Sequence, residues 1–256
     1  MVTLTVAVDD STEAGRCLRW TTRVAEAIGA KVVEVRVDGG DSPGLVLLDA
    51  ADRAGADLVV VAGSSSHRQP ATSPEGIADY VARHSRRPYA VVPPAATGEL
   101  PRCVAIGLDG SPGAEAAAAW CASFAAEVGA TVVAIDVLHP PAFLTPSLPE
   151  LHADATQSLA ESWTSPFADN GVPVTTVVVD DPEPGRAFLA AAEAAGADAL
   201  VLGARVIVGV RLLDHDGITL HALDQGQLPV IVIPTDHGLA EHYAAPERSG
   251  AFTLPA

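Results

Sequence analysis

The chain has 256 residues, of which 48% are hydrophobic and 18% are charged. This is enough apolar material for a sizeable core in one or two domains, and it excludes a chain that is disordered throughout. Acidic residues outnumber basic residues by 32 to 15, which gives a formal net charge of −17 and a pI near 4.6. Because such a surface repels phosphate backbones and anionic lipids, we expect no binding to nucleic acid or to membranes.

Lysine and cysteine usage narrows the class of protein further. The only lysine is Lys31 and no Gly-Lys dipeptide occurs, which excludes a P-loop with its phosphate-binding lysine. The cysteines Cys17, Cys103 and Cys121 are odd in number and widely spaced, so we expect reduced thiols without a disulfide or a zinc site. With no signal-peptide pattern and no apolar run near the ~20 residues of a membrane span, we expect a cytoplasmic protein.

The sequence contains two copies of one unit. At an offset of 100 residues, Asp9 aligns with Asp109 and Trp20 aligns with Trp120. At an offset of 141 residues, Pro93 aligns with Pro234, and the Ala-Gly-Ala-Asp segment at 54–57 is repeated at 195–198. The second copy therefore carries an insertion of 41 residues, the difference between the two offsets.

In chain order, each copy alternates predicted strands with predicted helices. The first copy has strands at 3–8, 32–37, 57–62 and 89–92, a helix that begins after Ser11 and ends at Gly29, and helices at 45–54 and 75–84. The second copy has strands at 103–108, 131–138, 172–179, 198–203 and 230–233, and helices at 111–128, about 149–168 and 185–195.

The strands are continuously apolar, which is typical of a parallel sheet with helices on both faces. The fold class is therefore α/β, with two tandem doubly wound parallel-sheet domains. The first domain is shortened to four strands because it lacks one helix–strand pair. We assign domain 1 to residues 1–94, a linker to 95–101, domain 2 to 102–235 and a C-terminal tail to 236–256.

The order and spacing of several short motifs resemble those of a tandem universal stress protein. The motifs are Leu-Asp-Gly-Ser-Pro at 108–112, the tryptophan-containing first helix, Asp-Asp-Pro at 180–182, Gly-Ala-Arg at 203–205 and the apolar strand at 228–234. The resemblance implies an adenine-nucleotide-hydrolase-like fold with strand order 3-2-1-4-5 and pairing through the last strand. In a tandem chain this implies an intramolecular pseudo-dimer of the two domains, with a homodimer of whole chains left open.

ATP-binding members of that family share a loop after the fourth strand, G-x-x-G-(x)9-G-[ST]. The corresponding positions are Gly203, Val206, Asp216 and Gly217 in the second copy, and Ala62, Ser65, Glu75 and Gly76 in the first. Only Gly203 is retained in place, and both copies have a carboxylate in place of the third glycine. At ~4 Å and an effective dielectric constant of about 20, a carboxylate repels a phosphate by roughly 4 kcal/mol. Both loops therefore look like degenerate forms of the family's ATP-binding loop.

If domain 2 does bind ATP or AMP, with or without Mg²⁺, the resemblance assigns the contacts to six residues. They are Asp109, Val137, Gly203, Arg205, Gly217 and Thr219. Asp109 has an alternative role, because it and Ser111 are placed to cap the following helix, as Asp9 and Ser11 are in the first copy.

Other polar clusters have two interpretations each. Arg205 contacts an anion or forms an ion pair with Asp214 or Asp216, and we favour the ion pair. The serines at 64–66 form an anion-binding nest or a plain loop, and we favour the loop. Asp214, His215, Asp216 and His221 fit no known zinc spacing, so we predict a solvated acidic loop and no metal site.

We therefore predict a non-catalytic regulatory or interaction protein of the stress response, with no cofactor and an unidentified protein partner. The alternative is an adenine-nucleotide-binding switch that uses domain 2 only. A weak ATPase or another hydrolase is the lesser alternative, since no general base is evident beyond the aspartates. We also predict that any ligand-sized pocket lies in domain 2, and that the apolar strands at 90–92 and 230–233 pair antiparallel within the chain.

Overall fold

The computed structural model describes residues 1–37, 42–63, 76–138, 163–206 and 217–236, with residues 153, 156 and 157. The strands are β1 (Thr3–Val8), β2 (Lys31–Arg36), β3 (Leu58–Ala62), β4 (Tyr89–Val92), β5 (Cys103–Gly107), β6 (Thr131–Leu138), β7 (Val174–Asp180), β8 (Ala199–Val206) and β9 (Val230–Asp236). The helices in these residues are α1 (Thr12–Ile28), α2 (Pro43–Ala54), α3 (Ile77–His84), α4 (Pro112–Val128), α5 (Ser165–Asp169), α6 (Pro184–Ala194) and α7 (Ile218–Gln225).

All nine of these strands form one sheet in the order β2-β1-β3-β4-β9-β8-β5-β6-β7. The five strands of the second half follow the expected order 3-2-1-4-5, read from β7 to β9. The four strands of the first half follow the same order but lack a strand outside β2. Pairing within each half is parallel. The predicted α/β fold class and the shortened first half are confirmed.

The two halves meet at an antiparallel pair of strands in the middle of the sheet. Ala90 of β4 lies opposite Ile231 of β9, and both residues are fully buried. The predicted pairing of the two apolar edges is confirmed. Each edge covers the backbone groups of the other, and the two halves share one continuous sheet.

Helices cover both faces of the sheet and enclose two core clusters. The cluster beneath α1 and α4 contains the large side chains of Trp20, Trp120, Phe124 and Phe167. The cluster beneath α2, α3, α6 and α7 includes Phe188. Burial raises the pKa of the Cys17 thiol to about 12.

Local signals set the ends of the long helices. Ser11 and Ser111 accept hydrogen bonds from the backbone N–H groups of Ala14 and Ala114, at 3.0 and 3.2 Å. Both helices end at a glycine in the left-handed conformation, with φ of 64° at Gly29. These caps satisfy N–H and C=O groups that a helix terminus leaves without partners, so the predicted ends of α1 are correct.

The structure differs from the predicted elements at several places, which include the inserted segment and the last strand. Of the helix predicted at 149–168, the structure describes α5 (Ser165–Asp169) and little else, and the remainder lies outside the described residues. Strand β9 continues to Asp236, beyond the predicted end at 233, because it stays in register with β8 up to that residue. No helix in the described part of the chain is long and apolar enough to cross a membrane.

Contacts with α1 hold the segment between the two halves. The Arg16 guanidinium donates a hydrogen bond to the Pro94 carbonyl at 2.5 Å, and Arg23 forms a 3.1 Å ion pair with Glu99. The side chains of Ala96 and Leu100 pack against the core. The residues assigned to the linker therefore lie along the protein surface.

Candidate functional site at the carboxyl ends of β5, β6 and β8

In the second half, the carboxyl ends of β5, β6 and β8 bring together most of the residues singled out from the sequence. Asp109 follows β5 and is exposed, and Val137 lies near the end of β6, partly buried against the α6 face of the core. Gly203 lies in β8, and Gly217 and Thr219 begin α7. Arg205 is also in β8, but its side chain lies outside the described part of the structure.

Asp109 and Ser111 each accept a hydrogen bond near the N-terminus of α4. The Ser111 N–H donates a hydrogen bond to Asp109 Oδ1 at 2.9 Å, while Ser111 Oγ accepts the bond from Ala114. In the first half, Asp9 Oδ1 accepts from the Ser11 N–H at 2.8 Å. In both halves the serine is the cap of the helix, and the aspartate accepts a hydrogen bond from the N–H of that serine. Asp109 remains exposed to solvent.

Gly203 is required by packing between β8 and the first turn of α4. A Cβ atom at this position would lie 2.3 Å from the Gly113 carbonyl oxygen and 2.9 Å from the Ala114 nitrogen. Real Cβ atoms do not approach backbone atoms so closely. The first half has Ala62 and Glu13 at the corresponding positions. The single retained glycine of the loop therefore has a structural cause that involves no ligand.

Two threonine hydroxyls form hydrogen bonds with β8 at the carboxyl edge of the sheet. Thr219 Oγ1 donates a hydrogen bond to the Gly203 carbonyl at 3.3 Å, and Thr235 Oγ1 donates to the Ala204 carbonyl at 3.1 Å. Sequence reasoning missed Thr235, which it placed at the very end of domain 2. Its buried position follows from the extension of β9 beyond the predicted strand.

Sequence reasoning also missed Asp136, a buried acid in the apolar strand β6. It is 5% exposed, and its carboxylate forms no hydrogen bond with a described residue. Burial, and then the negative charge of Asp109, raise the pKa of Asp136 to about 6. The signal that could have found it is a lone charge inside an otherwise apolar strand.

Trp163, from the segment inserted in the second half, lies against the turn that follows β5. Gly110 has a φ of 72°, and a Cβ atom there would lie 2.4 Å from Trp163 Cζ2. Only a glycine leaves room for the indole ring at this position. Sequence reasoning missed this contact, although Trp163 has no counterpart in the first copy.

The first half has a different charge pattern at the positions that correspond to Gly110 and Asp136. At the offset of 100 residues, Gly110 and Asp136 correspond to Asp10 and Arg36. Arg36 and Asp10 form an exposed ion pair at 2.8 Å. The first half therefore contains both signs of charge where the second half has acids.

Several polar residues considered above lie outside the described residues. They are the serines at 64–66, Glu75, Asp214, His215 and Asp216, and the same holds for the side chain of Val206. His221 lies in α7, and a Cβ atom at Gly185 would lie 2.5 Å from its Cβ, so this histidine packs against α6. Within the described ranges, no group of three or more His, Cys, Asp or Glu side chains could hold a metal ion.

A doubly wound sheet with capped helix termini and acidic side chains at its carboxyl edge defines the class of α/β proteins with a nucleotide-binding-like fold. Residues 102–223 match the sequence model of the Universal stress protein family. The matched residues lie in the second half of the chain, which is therefore similar to the universal stress protein family. No curated protein matches the sequence.

Three solved structures of universal stress proteins are similar to this chain in fold. A universal stress protein from Archaeoglobus fulgidus DSM 4304 matches with a TM-score of 0.63 and 14% identity, over 91% of this chain and 98% of that chain. A putative universal stress protein from Pseudomonas aeruginosa UCBPP-PA14 matches with a TM-score of 0.58 and 12% identity, over 94% and 84%. A universal stress protein solved in complex with cAMP matches with a TM-score of 0.41 and 15% identity, over 53% and 98%. At these identities the similarity concerns the fold.

Proposed function

We propose that the chain is a cytoplasmic, non-catalytic stress-response protein that acts through contacts with a protein partner. Its two units act together as an internal pseudo-dimer, with the domain boundaries given above. The antiparallel pairing of β4 with β9 supports this proposal, because it joins two similar units through their last strands. The proposal requires neither ATP nor a metal ion.

The observation that carries the proposal is the contact between Gly203 and α4. A glycine that packing requires is no sign of phosphate binding, and the other glycines of the family loop are absent or displaced. The Asp109 and Thr219 side chains also have structural partners in Ser111 and Gly203. Three of the six candidate nucleotide contacts thus have roles in the fold.

The alternative is a nucleotide-binding switch in domain 2, and one observation favours it. Helix α7 has Gly217 as its N-cap residue, and no capping side chain accepts a hydrogen bond there. Free N–H groups at a helix N-terminus attract anions, and the exposed Asp109 lies at the carboxyl edge of the same sheet. An ATP or AMP molecule could accept hydrogen bonds from these N–H groups, although the acidic residue Asp216 directly precedes Gly217 in the sequence.

Isothermal titration calorimetry with Mg-ATP and with AMP tests the proposal. We expect no affinity tighter than about 1 mM, which corresponds to roughly −4 kcal/mol. The double change Val206→Gly with Asp216→Gly restores part of the family loop and should tighten binding. The matched change in the first copy, Ser65→Gly with Glu75→Gly, should do less because that unit lacks a strand and a helix.

Micromolar affinity of the unchanged protein for ATP or AMP would contradict the proposal and support the nucleotide switch. Release of phosphate from bound ATP, at a rate that Asp109→Asn abolishes, would support the lesser alternative of a weak ATPase.

A further inference from the structure

The outer edge of β2 has no neighbouring strand in the described part of the chain. Strand β2 stands first in the order of the sheet, so it pairs there with β1 alone. The Val37 N–H, just after β2, donates to the Val8 carbonyl of β1 at 3.1 Å. Because backbone groups alternate along a strand, those of Glu34 and Arg36 point away from β1. An edge of this kind is a template for pairing with a strand of another chain.

The second half shows what a strand does when it covers the corresponding edge. There β7 pairs with β6, which is the counterpart of β2. Val132 and Val133 of β6 are only 1% and 6% exposed as a result. Their counterparts Val32 and Val33 in β2 are only half-buried. The strand that the first half lacks therefore leaves apolar side chains of β2 open to solvent.

Two further apolar side chains are exposed next to this edge. Leu45 and Val46, at the start of α2, are 52% and 50% exposed, and with Met1 they are the large hydrophobic residues that are exposed among those described. Helix α2 follows β2 along the chain and packs against both β1 and β2. The second half has the charged residue Arg186 at the position of Leu45. The first half thus combines a free strand edge with uncovered apolar surface.

We propose that two copies of the chain pair antiparallel through their β2 strands, with Val35 on the two-fold axis. Glu34 of each copy then lies opposite Arg36 of the other, and their backbone groups form the hydrogen bonds of the ladder. On the other face of the sheet, Val35 meets Val35, and Val33 meets Val37 of the second copy. This inference goes beyond the proposed function and does not depend on it.

Charge selects this register of the two strands. Outward-facing backbone groups must meet each other, so the two-fold axis passes through a residue. An axis through Glu34 or Arg36 would place two like charges directly opposite each other, which destabilises a strand pair. An axis through Val33 would place Glu34 opposite Val32. Of these positions, only Val35 brings each charge opposite its complement.

The other free edge of the sheet, β7, offers no such match. Its sequence Val-Thr-Thr-Val-Val-Val-Asp contains one acid, Asp180, and no basic residue. Pairing of β2 with β7 of another copy would also continue as an open filament, whereas two β2 edges close on each other. About a two-fold axis perpendicular to the sheet, both α2 helices lie on the same face, with the starts of both helices towards the axis.

Arg36 can serve both copies at once. Its guanidinium pairs with Asp10 of its own chain at 2.8 Å, and both side chains are exposed. A guanidinium has five N–H donors, so a second carboxylate, that of Glu34 in the other copy, can bind without displacing the first.

Sedimentation equilibrium of the full chain, from about 5 to about 200 μM, tests the dimer. The buffer contains about 150 mM NaCl, which screens the repulsion between two copies of charge −17 beyond about 8 Å. We expect a mass of twice the 26.1 kDa of one chain, with a Kd below about 100 μM.

Charge reversal tests the register. Glu34→Arg and Arg36→Glu each place like charges opposite each other and should weaken the dimer more than about tenfold. The double variant restores the opposite charges in reversed order and should return Kd to within about threefold of the unchanged protein. Glu34→Arg also makes the chain less acidic, so general repulsion between copies cannot explain its effect. Thr176→Arg in β7 is the matched control and should leave Kd unchanged.

Four outcomes would overturn the proposal. They are a monomer at all concentrations up to about 200 μM, a mass that keeps rising beyond the dimer, a double variant as weak as either single one, and loss of the dimer in Thr176→Arg. The second would indicate a filament, and the last would place the contact at β7. Thermal unfolding checks each variant, and all should fold because Glu34, Arg36 and Thr176 are exposed.

Discussion

At the scale of single residues, the ionisation of Asp136 couples stability to pH. Its pKa is raised from 3.8 to about 6 in the folded protein, first by burial and then by the charge of Asp109. The unfolded chain therefore loses this proton at lower pH than the folded chain does. Below about pH 4 the group is neutral in both states and costs nothing, and the cost of its charge is complete above about pH 6.

We expect Asp136→Asn to remove this pH dependence. Relative to the variant, the unchanged protein should lose roughly 3 kcal/mol of unfolding free energy between about pH 4 and about pH 6, since two pKa units correspond to that energy. Urea unfolding at several pH values measures the difference. The exposed Asp10→Asn is the control and should show little change. Parallel pH profiles for Asp136→Asn and the unchanged protein would contradict the assigned pKa.

At the scale of elements, the close approach of α4 to β8 depends on Gly203. Gly203 faces the Gly113 carbonyl, and a Cβ atom on Gly113 would itself lie 3.4 Å from Thr235 Oγ1. The helix thus rests on the ends of β8 and β9 at their carboxyl edge. The three atoms nearest to a Cβ on Gly203 all belong to the backbone of α4, so no flexible side chain could move aside.

We expect Gly203→Ala to destabilise the protein by about 3 kcal/mol, because the added methyl group overlaps the backbone of α4. Chemical denaturation measures this loss. Gly15→Ala in α1 is the matched control, since the nearest atom to its new Cβ is 3.9 Å away. The control should be neutral or more stable by up to about 1 kcal/mol, because alanine favours a helix. Equal stability of Gly203→Ala and the unchanged protein would show that α4 is free to shift.

At the scale of the whole molecule, the junction of β4 and β9 makes the two halves one folded body. Tyr89, Ala90 and Val91 lie opposite Val232, Ile231 and Val230. Strand β9 also pairs with β8, so each N–H group at residues 230–232 faces a neighbouring strand. A proline in β9 therefore removes a hydrogen bond from the centre of the sheet.

We expect Ile231→Pro to unfold the protein or to split its thermal transition into two. Calorimetry distinguishes this result from the single transition of the unchanged chain. Glu34→Pro is the control in the edge strand β2. Lys31 and Val37 donate to Val2 and Val8 of the first strand, so the alternation along β2 points the Glu34 N–H away from β1. A single transition in Ile231→Pro, with Tm unchanged, would contradict a shared sheet.

The sequence by itself determined the alternation of strands and helices, the caps at Ser11 and Ser111, and the missing strand of the first half. These features depend on residues that are close along the chain, or on a comparison of the two copies. The pairing of β4 with β9 was also predictable, because two exposed apolar edges in one chain can cover each other.

Only the tertiary structure decided what the candidate site contains. Asp136 is an ordinary acid in the sequence, and it becomes buried in β6, which lies between β5 and β7. The reason that Gly203 is a glycine also depends on Gly113, 90 positions earlier in the chain. Contacts of this kind join residues that are far apart in the sequence. The raised pKa of Asp136 and the close approach at Gly203 therefore arise only when the folded sheet brings the carboxyl ends of its strands together.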